Sequence, residues 1–213
     1  MKYLNDVFIS YKRSQLNEQW MEEIFLPLFR EYLNNLLEKD ANIFIDKTGL
    51  TNGADFNNEL FKNLVYSKSF VSVWSPPYFR KSEWCIKEFL TMKYQQQLYN
   101  ISTDGKPSTL IWPIVYRKLA NPLPPIINNI NYLDYSDFNV VGDAFFKTEL
   151  YIKFQFKLQN DIQSIADIII NAPELHEDLK TIEGKKKVQQ EINDYLITND
   201  ITNESIKQSI TSW

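Results

Sequence analysis

Short apolar runs alternate with longer amphipathic stretches along most of the chain. Four runs, rich in β-branched and aromatic residues and bounded by polar residues or turns, have the length of buried strands: residues 7–11, 43–45, 70–74 and 110–116. A weaker fifth run covers residues 132–134. Pro113 removes one backbone donor from the fourth run, which favours a bulge or a position near the sheet edge.

The stretches between these runs predict helices. Apolar residues recur at helical spacing in three of them, residues 16–39, 54–66 and 143–171, and a further helix is predicted over residues 82–99, after the proline loop. Pro27 should kink the first helix or mark its true first turn, and Ser82 is a suitable N-cap for the third. Residues 76–81 begin with two prolines and predict a stiff loop. Because strands alternate with helices, we expect an α/β fold with a flavodoxin-like, doubly wound parallel sheet of about five strands.

The length and composition predict one domain with an extension. A chain of 213 residues that is 44% hydrophobic can bury one substantial core but is short for two full domains. We place the domain at residues 1–171. Residues 172–213 are polar and helix-prone, with only thin apolar stripes, and predict a C-terminal helical extension.

Charge and residue usage narrow the classes of partner. The net charge of −4 creates no basic field for phosphate backbones, so nucleic acid is not an expected partner. One cysteine and one histidine exclude an internal disulfide and argue against a cysteine- or histidine-based metal site. The apolar runs are too short to span a bilayer, and the first residues do not resemble a signal peptide. We therefore expect a cytoplasmic protein without a membrane partner.

The helix predicted at residues 82–99 carries the strongest candidate chemistry. It leaves the edge of the sheet at which the carboxyl ends of parallel strands form a ligand crevice. Trp84 and Glu88 are four residues apart and share one helical face, so an aromatic plane lies beside a carboxylate. Lys12 and Arg13 follow the first strand at the same edge, where their charges could neutralise a pyrophosphate.

Three segments, in the right order and spacing, resemble the motifs of the Toll/interleukin-1 receptor (TIR) domain family. Residues 6–13 resemble its first strand and basic exit loop, and residues 43–56 resemble its second strand and the long loop that follows. Residues 75–88 contain Ser-Pro and Trp-Cys-x-x-Glu motifs similar to those of the family. The resemblance covers about residues 2–171 and implies a TIR fold.

The resemblance also implies an activity, because some TIR domains cleave the nicotinamide-ribose bond of NAD+. By this resemblance Glu88 is the catalytic residue, NAD+ is the substrate, and no metal or further cofactor is needed. The substrate-binding residues would be Ser10, Tyr11, Lys12, Arg13, Asp46, Phe56 and Trp84. The chain resembles bacterial-type NAD-cleaving members such as the small TIR proteins of Thoeris defence, which pass an ADP-ribose-derived signal to a separate effector protein.

Other functions fit parts of the same pattern. Many TIR domains are adaptors that bind other TIR domains without catalysis, and self-association through the loop after the second strand fits both functions. A phospho-receiver of similar topology needs acidic residues after its first strand, where this chain has Lys12 and Arg13. Simpler roles also exist for each site residue: Glu88, Lys12 and Arg13 as solvated side chains, Trp84 as core packing, and Cys85 as a small buried hydrophobe.

Overall fold

Five parallel strands form the central sheet. The computed structural model describes residues 2–45, 54–80, 82–99, 109–119 and 123–198. The strands are β1 (Asn5–Tyr11), β2 (Ile43–Ile45), β3 (Ser67–Trp74), β4 (Ile111–Val115) and β5 (Leu133–Asp134). Their order is β2-β1-β3-β4-β5, and every pairing is parallel. The predicted flavodoxin-like α/β sheet is confirmed, including the weak fifth strand.

Helices cover both faces of this sheet. The α-helices are α1 (Gln15–Gln19), α2 (Leu26–Asn34), α3 (Ala54–Val65), α4 (Pro76–Arg80), α5 (Glu83–Leu98), α6 (Glu149–Ile170) and α7 (Ile182–Thr198). Short 3₁₀ turns lie at Pro125–Ile127, Ser136–Phe138, Phe145–Lys147 and Glu177–Lys180. Helix α2 packs on α6, and α3 packs on α5. In the part of the chain that the structure describes, no helix is long and apolar enough to cross a membrane.

Pro27 explains the shape of the first helical region. A π-helical turn, Trp20–Phe25, joins α1 to α2, and Pro27 lies in the first turn of α2. Proline has no N–H, and its ring would collide with the carbonyl four residues earlier in a regular α-helix. A widened turn relieves that collision. The region ends at Asn34, earlier than the sequence pattern predicts.

The segment after β3 differs from the prediction of a stiff loop. Residues 76–80 form the one-turn helix α4, which begins with Pro76 and Pro77. At the first positions of a helix the missing proline N–H groups cost nothing, because those donors have no intrahelical acceptor, and the fixed proline φ already suits the helix. The prolines therefore start a helix here.

Pro113 lies near the sheet edge, and no bulge forms. The register of β4 with β3 is continuous from Ile111 to Val115, with Pro113 opposite Ser72. Strand β5 pairs only with Ile114 and Val115 on the other side of β4. Because β5 does not pair with Pro113, its missing donor breaks no ladder on that side.

The described part of the predicted extension packs against the domain. Helix α7 lies on α5, and four apolar residues are buried there: Leu175, Leu179, Val188 and Ile192. The connecting segment is anchored by Tyr3, whose hydroxyl donates to the Pro173 carbonyl at 2.7 Å, and by Tyr99, whose hydroxyl accepts from the His176 N–H at 3.0 Å. The extension and the sheet domain thus share one core.

Candidate functional site

The candidate site lies at the carboxyl ends of β1 and β3. From β1 the chain crosses to β2 on one side and then returns to β3 on the other side. This reversal is the topological switch point at which ligands bind in doubly wound sheets. Helix α5 covers one face of the sheet here, since the Phe70 ring of β3 lies 6.4 Å from the Phe89 ring of α5.

Glu88 and Ser10 meet at this switch point. Ser10 shares its face of β1 with Phe8, which pairs with Phe70, so its side chain is directed toward α5. The Ser10 hydroxyl donates to Oε2 of Glu88 at 2.5 Å. Ser10 is 2% exposed and Glu88 is 4% exposed. A buried carboxylate is therefore held against the end of the central strand by a short hydrogen bond.

Tyr78 of α4 completes a three-residue network with this pair. Its hydroxyl oxygen lies 3.0 Å from Oγ of Ser10 and 3.2 Å from the Cys85 carbonyl oxygen, to which it can donate. Burial raises the pKa of Tyr78 well above its usual value, and the electrostatic effects of the neighbouring Cys85 and Glu88 add to this rise. Tyr78 therefore keeps its proton at neutral pH and can act as a hydrogen-bond donor.

Cys85 is unsuited to act as a nucleophile. Burial, followed by the nearby negative charge of Glu88, raises the pKa of its thiol to about 12. Ser82 caps α5 by accepting from the Cys85 N–H at 3.3 Å, and its hydroxyl lies 3.0 Å from Sγ. A thiol that stays protonated is a poor nucleophile. Cys85 is a small buried hydrophobe, as the simpler interpretation predicts.

The loop after β1 brings one cation toward this network. Lys12 follows β1 directly, and its positive charge partly offsets the rise in the pKa of Cys85. The buried Asn17 side chain donates to the Lys12 carbonyl at 2.6 Å and holds the loop. Arg13 has a different partner, because its Nε donates to Oε1 of Glu18 at 2.5 Å.

Trp84 lies one turn before Glu88 and is partly buried. The Lys87 ammonium lies 4.5 Å from the centre of the Trp84 ring, and Lys87 is only 1% exposed. One face of the indole thus carries a cation contact.

The described structure brings together only some of the predicted site residues. Ser10 and Glu88 are in contact, Lys12 is near them, and Tyr11 is half-buried at the end of β1. Asp46 lies outside the described residues, as does the side chain of Phe56. The substrate-binding roles of all these residues stay predictions.

Sequence reasoning missed Tyr78, Lys87 and Asn17. Tyr78 was missed because residues 76–81 are predicted to form a loop. Lys87 and Asn17 were missed because residues of these types usually lie on the surface. A usable signal existed for Tyr78: two prolines before a tyrosine fit the start of a helix.

Comparison with known proteins agrees with the geometry. A family model described as TIR domain matches residues 7–147, more than half of the chain. The TIR domain of the Toll-related receptor TRR-2 from Hydra magnipapillata is 22% identical, with 75% of this chain and 98% of that chain covered at a TM-score of 0.42.

A second solved structure, the TIR domains of the activated Roq1 resistosome that directly recognises the pathogen effector XopQ, is 17% identical. It covers 90% of this chain and 99% of that chain at a TM-score of 0.37. Both TM-scores are low, so the assignment rests on the family match. The chain belongs to the TIR domain family.

Proposed function

We propose that this protein cleaves the bond between nicotinamide and ribose in NAD+, with Glu88 as the catalytic residue. The observation that carries the proposal is the buried Glu88 carboxylate at the switch point, held by the Ser10 hydroxyl at 2.5 Å. A carboxylate in a site that excludes water interacts strongly with charge that develops in a transition state.

The chemistry needs few protein groups. Nicotinamide leaves from a positively charged glycosidic nitrogen as a neutral molecule, so no acid has to protonate it, in contrast to ordinary glycoside hydrolysis with two carboxylates. Glu88 would hold the hydroxyls of the nicotinamide ribose and stabilise the sugar as it becomes oxocarbenium-like. Water, which loses a proton, or another nucleophile then bonds to the ribose carbon that nicotinamide has left. The product is ADP-ribose or a molecule derived from it.

The surrounding residues have roles consistent with this reaction. Lys12, directly after β1, offers a cation for the pyrophosphate. Trp84 offers an aromatic ring, oriented by the Lys87 contact, for stacking on a base. By resemblance to the family, Asp46 and Phe56 would complete the substrate contacts, and contacts between TIR domains would assemble the active form.

Nicotinamide release by the purified protein tests the proposal. Glu88→Gln keeps the shape of the side chain and removes its charge, and we expect it to lower the rate about 10²- to 10³-fold. Glu191→Gln, at an exposed position on α7, is the matched control and should retain the wild-type rate. Equal slow release by wild type and Glu88→Gln, each also measured at high protein concentration to allow assembly, would refute the proposal.

One observation favours a second function, that of a non-catalytic adaptor. The Glu88 carboxylate is already hydrogen-bonded by Ser10 and is almost fully buried, so it can serve the fold alone. In that case Glu88→Gln changes the stability of the protein. Any change in TIR-TIR binding by this variant is then explained by the change in the amount of folded protein. Light scattering with and without NAD+, beside the nicotinamide assay, separates the two functions.

A further inference from the structure

Tyr78 is positioned by the way in which the chain leaves β3. Pro76 and Pro77 begin α4, and the Tyr78 N–H donates to the Ser75 carbonyl at 2.9 Å. This tight turn directs the Tyr78 side chain back under α5, where it is fully buried and packs on the Phe79 ring at 4.9 Å. Its hydroxyl therefore meets β1 and α5 from a third element.

The number of hydroxyl hydrogens fixes the direction of the network. Each hydroxyl has one hydrogen to donate. With Glu88 ionised, as the proposed reaction requires, the hydrogen of Ser10 is donated to its carboxylate. At the 3.0 Å contact between Tyr78 and Ser10, Tyr78 must then be the donor, and it shares its hydrogen with the Cys85 carbonyl. The chain of donation runs from Tyr78 to Ser10 to Glu88.

This direction has two consequences for the carboxylate. A hydroxyl that accepts a hydrogen bond becomes a stronger donor, so Tyr78 strengthens the bond from Ser10 to Glu88. The Cys85 carbonyl belongs to the first turn of α5, so Tyr78 also links the helix that carries Glu88 to the strand that carries Ser10. Carboxylate orientation matters, because a displacement of about 1 Å can cost about 10²-fold in rate.

We propose that Tyr78 is a positioning residue that acts through Ser10 to hold the Glu88 carboxylate in its reactive orientation. The inference rests on the proposed function. Tyr78 does not touch substrate in this scheme, since its hydroxyl is occupied by Ser10 and by the Cys85 carbonyl. Its removal should affect the chemical step and leave substrate binding nearly unchanged.

Steady-state kinetics of Tyr78→Phe, Ser10→Ala and the double variant test the proposal. We expect kcat to fall about 10- to 100-fold in Tyr78→Phe, with KM for NAD+ changed by less than about twofold. The double variant should be no slower than Ser10→Ala alone, because both changes break one path. Additive losses in the double variant, or a change confined to KM, would overturn the proposal.

Tyr135→Phe is the matched control. Tyr135 is also fully buried, and its hydroxyl donates to Oδ2 of Asp161 at 2.8 Å on α6, on the other face of the sheet. A merely structural role for Tyr78 predicts that both phenylalanine variants lower kcat to the same extent. The positioning role predicts a fall in kcat for Tyr78→Phe alone, even where Tyr135→Phe loses as much thermal stability.

A second measurement keeps this proposal separate from NAD+ cleavage. Urea unfolding of Tyr78→Phe, Glu88→Gln and the double variant forms a cycle that needs no activity. Non-additive shifts of the midpoint support the link between Tyr78 and Glu88, and additive shifts overturn it. If the wild type releases no nicotinamide, the proposed function fails, and the unfolding cycle alone decides whether Tyr78 and Glu88 are coupled.

Discussion

The Lys87 ammonium lies 4.5 Å from the centre of the Trp84 ring, and both residues belong to the first two turns of the helix that carries Glu88. A buried cation on one face of an aromatic ring fixes the plane of that ring. If Trp84 stacks on a base of NAD+, Lys87 affects how the ring is oriented toward that base.

Lys87→Met is expected to weaken NAD+ binding. The change keeps an unbranched side chain and removes a cation-π contact worth about 0.5 to 2 kcal/mol that orients the Trp84 ring; because only part of this energy affects the bound state, we expect KM to rise by no more than about 30-fold. Michaelis-Menten kinetics of nicotinamide release measure this effect. Lys93→Met, at a partly buried lysine further along α5, is the control and should keep the wild-type KM. An unchanged KM in Lys87→Met would show that neither Lys87 nor the orientation of the Trp84 ring contributes to NAD+ binding.

Lys12→Ala should raise KM for NAD+ more than Arg13→Ala does. Lys12 directly follows β1 and acts electrostatically on Cys85, whereas Arg13 Nε is paired with Glu18. A charge-assisted hydrogen bond to a phosphate contributes about 1.5 to 3 kcal/mol, so Lys12→Ala should raise KM about 10- to 100-fold. Parallel measurements of both variants at low and high salt check the order. A larger effect of Arg13→Ala would assign the pyrophosphate to Arg13.

Cys85 should resist thiol reagents in the native protein at pH 8. Its pKa of about 12 leaves almost no thiolate, and the side chain is buried.

The raised pKa of Cys85 also makes the stability of the protein depend on pH in the alkaline range. The native state holds the proton that the unfolded chain releases above about pH 9, so stability falls as the pH rises from about 9 toward 12.

Unfolding in urea across pH 8 to about 10, compared between wild type and Cys85→Ala, measures this contribution. In Cys85→Ala, the free energy of unfolding should fall less steeply with rising pH, by the amount that the titration of one group contributes. A reagent such as Ellman's, added with and without urea, measures exposure of the thiol. Fast labelling of the folded protein would contradict the buried, protonated state.

Ile192→Ala should destabilise the whole protein. Ile192 is 2% exposed within the extension and belongs to the common core. Truncation of such a residue typically lowers the free energy of unfolding by about 2 to 5 kcal/mol. Lys186→Ala, at an exposed position on the same helix, should change it by less than about 0.5 kcal/mol. A separate early transition for the extension would show that it folds as an independent unit.

Local patterns predict the sheet and the main helices because short apolar runs mark the strands, while the longer helices show an apolar stripe or a capping residue. The alternation of short β-rich runs with amphipathic stretches, together with Ser82 as a cap, is sufficient for the strands and for α5. Helix α4 is not predictable in this way, because its five residues, which begin with two prolines, are too few to show a helical repeat of apolar residues.

The site is less predictable than the fold, because its contacts join residues that are far apart in sequence. Trp84 and Glu88 are visible as a pair on one helix, but the bond from Ser10 to Glu88 depends on which strand lies under α5. Lys87 is a charged residue in the sequence and a buried cation in the fold, because α5 is covered on nearly all sides. Such burial depends on the packing of α3 and α7, which no local pattern encodes.

The Tyr3 contact with Pro173 has a practical consequence for how the protein is handled. It joins the residues that precede β1 to the segment that leads into α7. A fusion partner or a cut placed at residues 2–4 therefore perturbs the anchor of a helix that lies almost the whole chain away in sequence. Recombinant protein meant for kinetics should carry its affinity tag on a spacer, and a comparison of tagged and cleaved protein by thermal melting shows whether the anchor has survived.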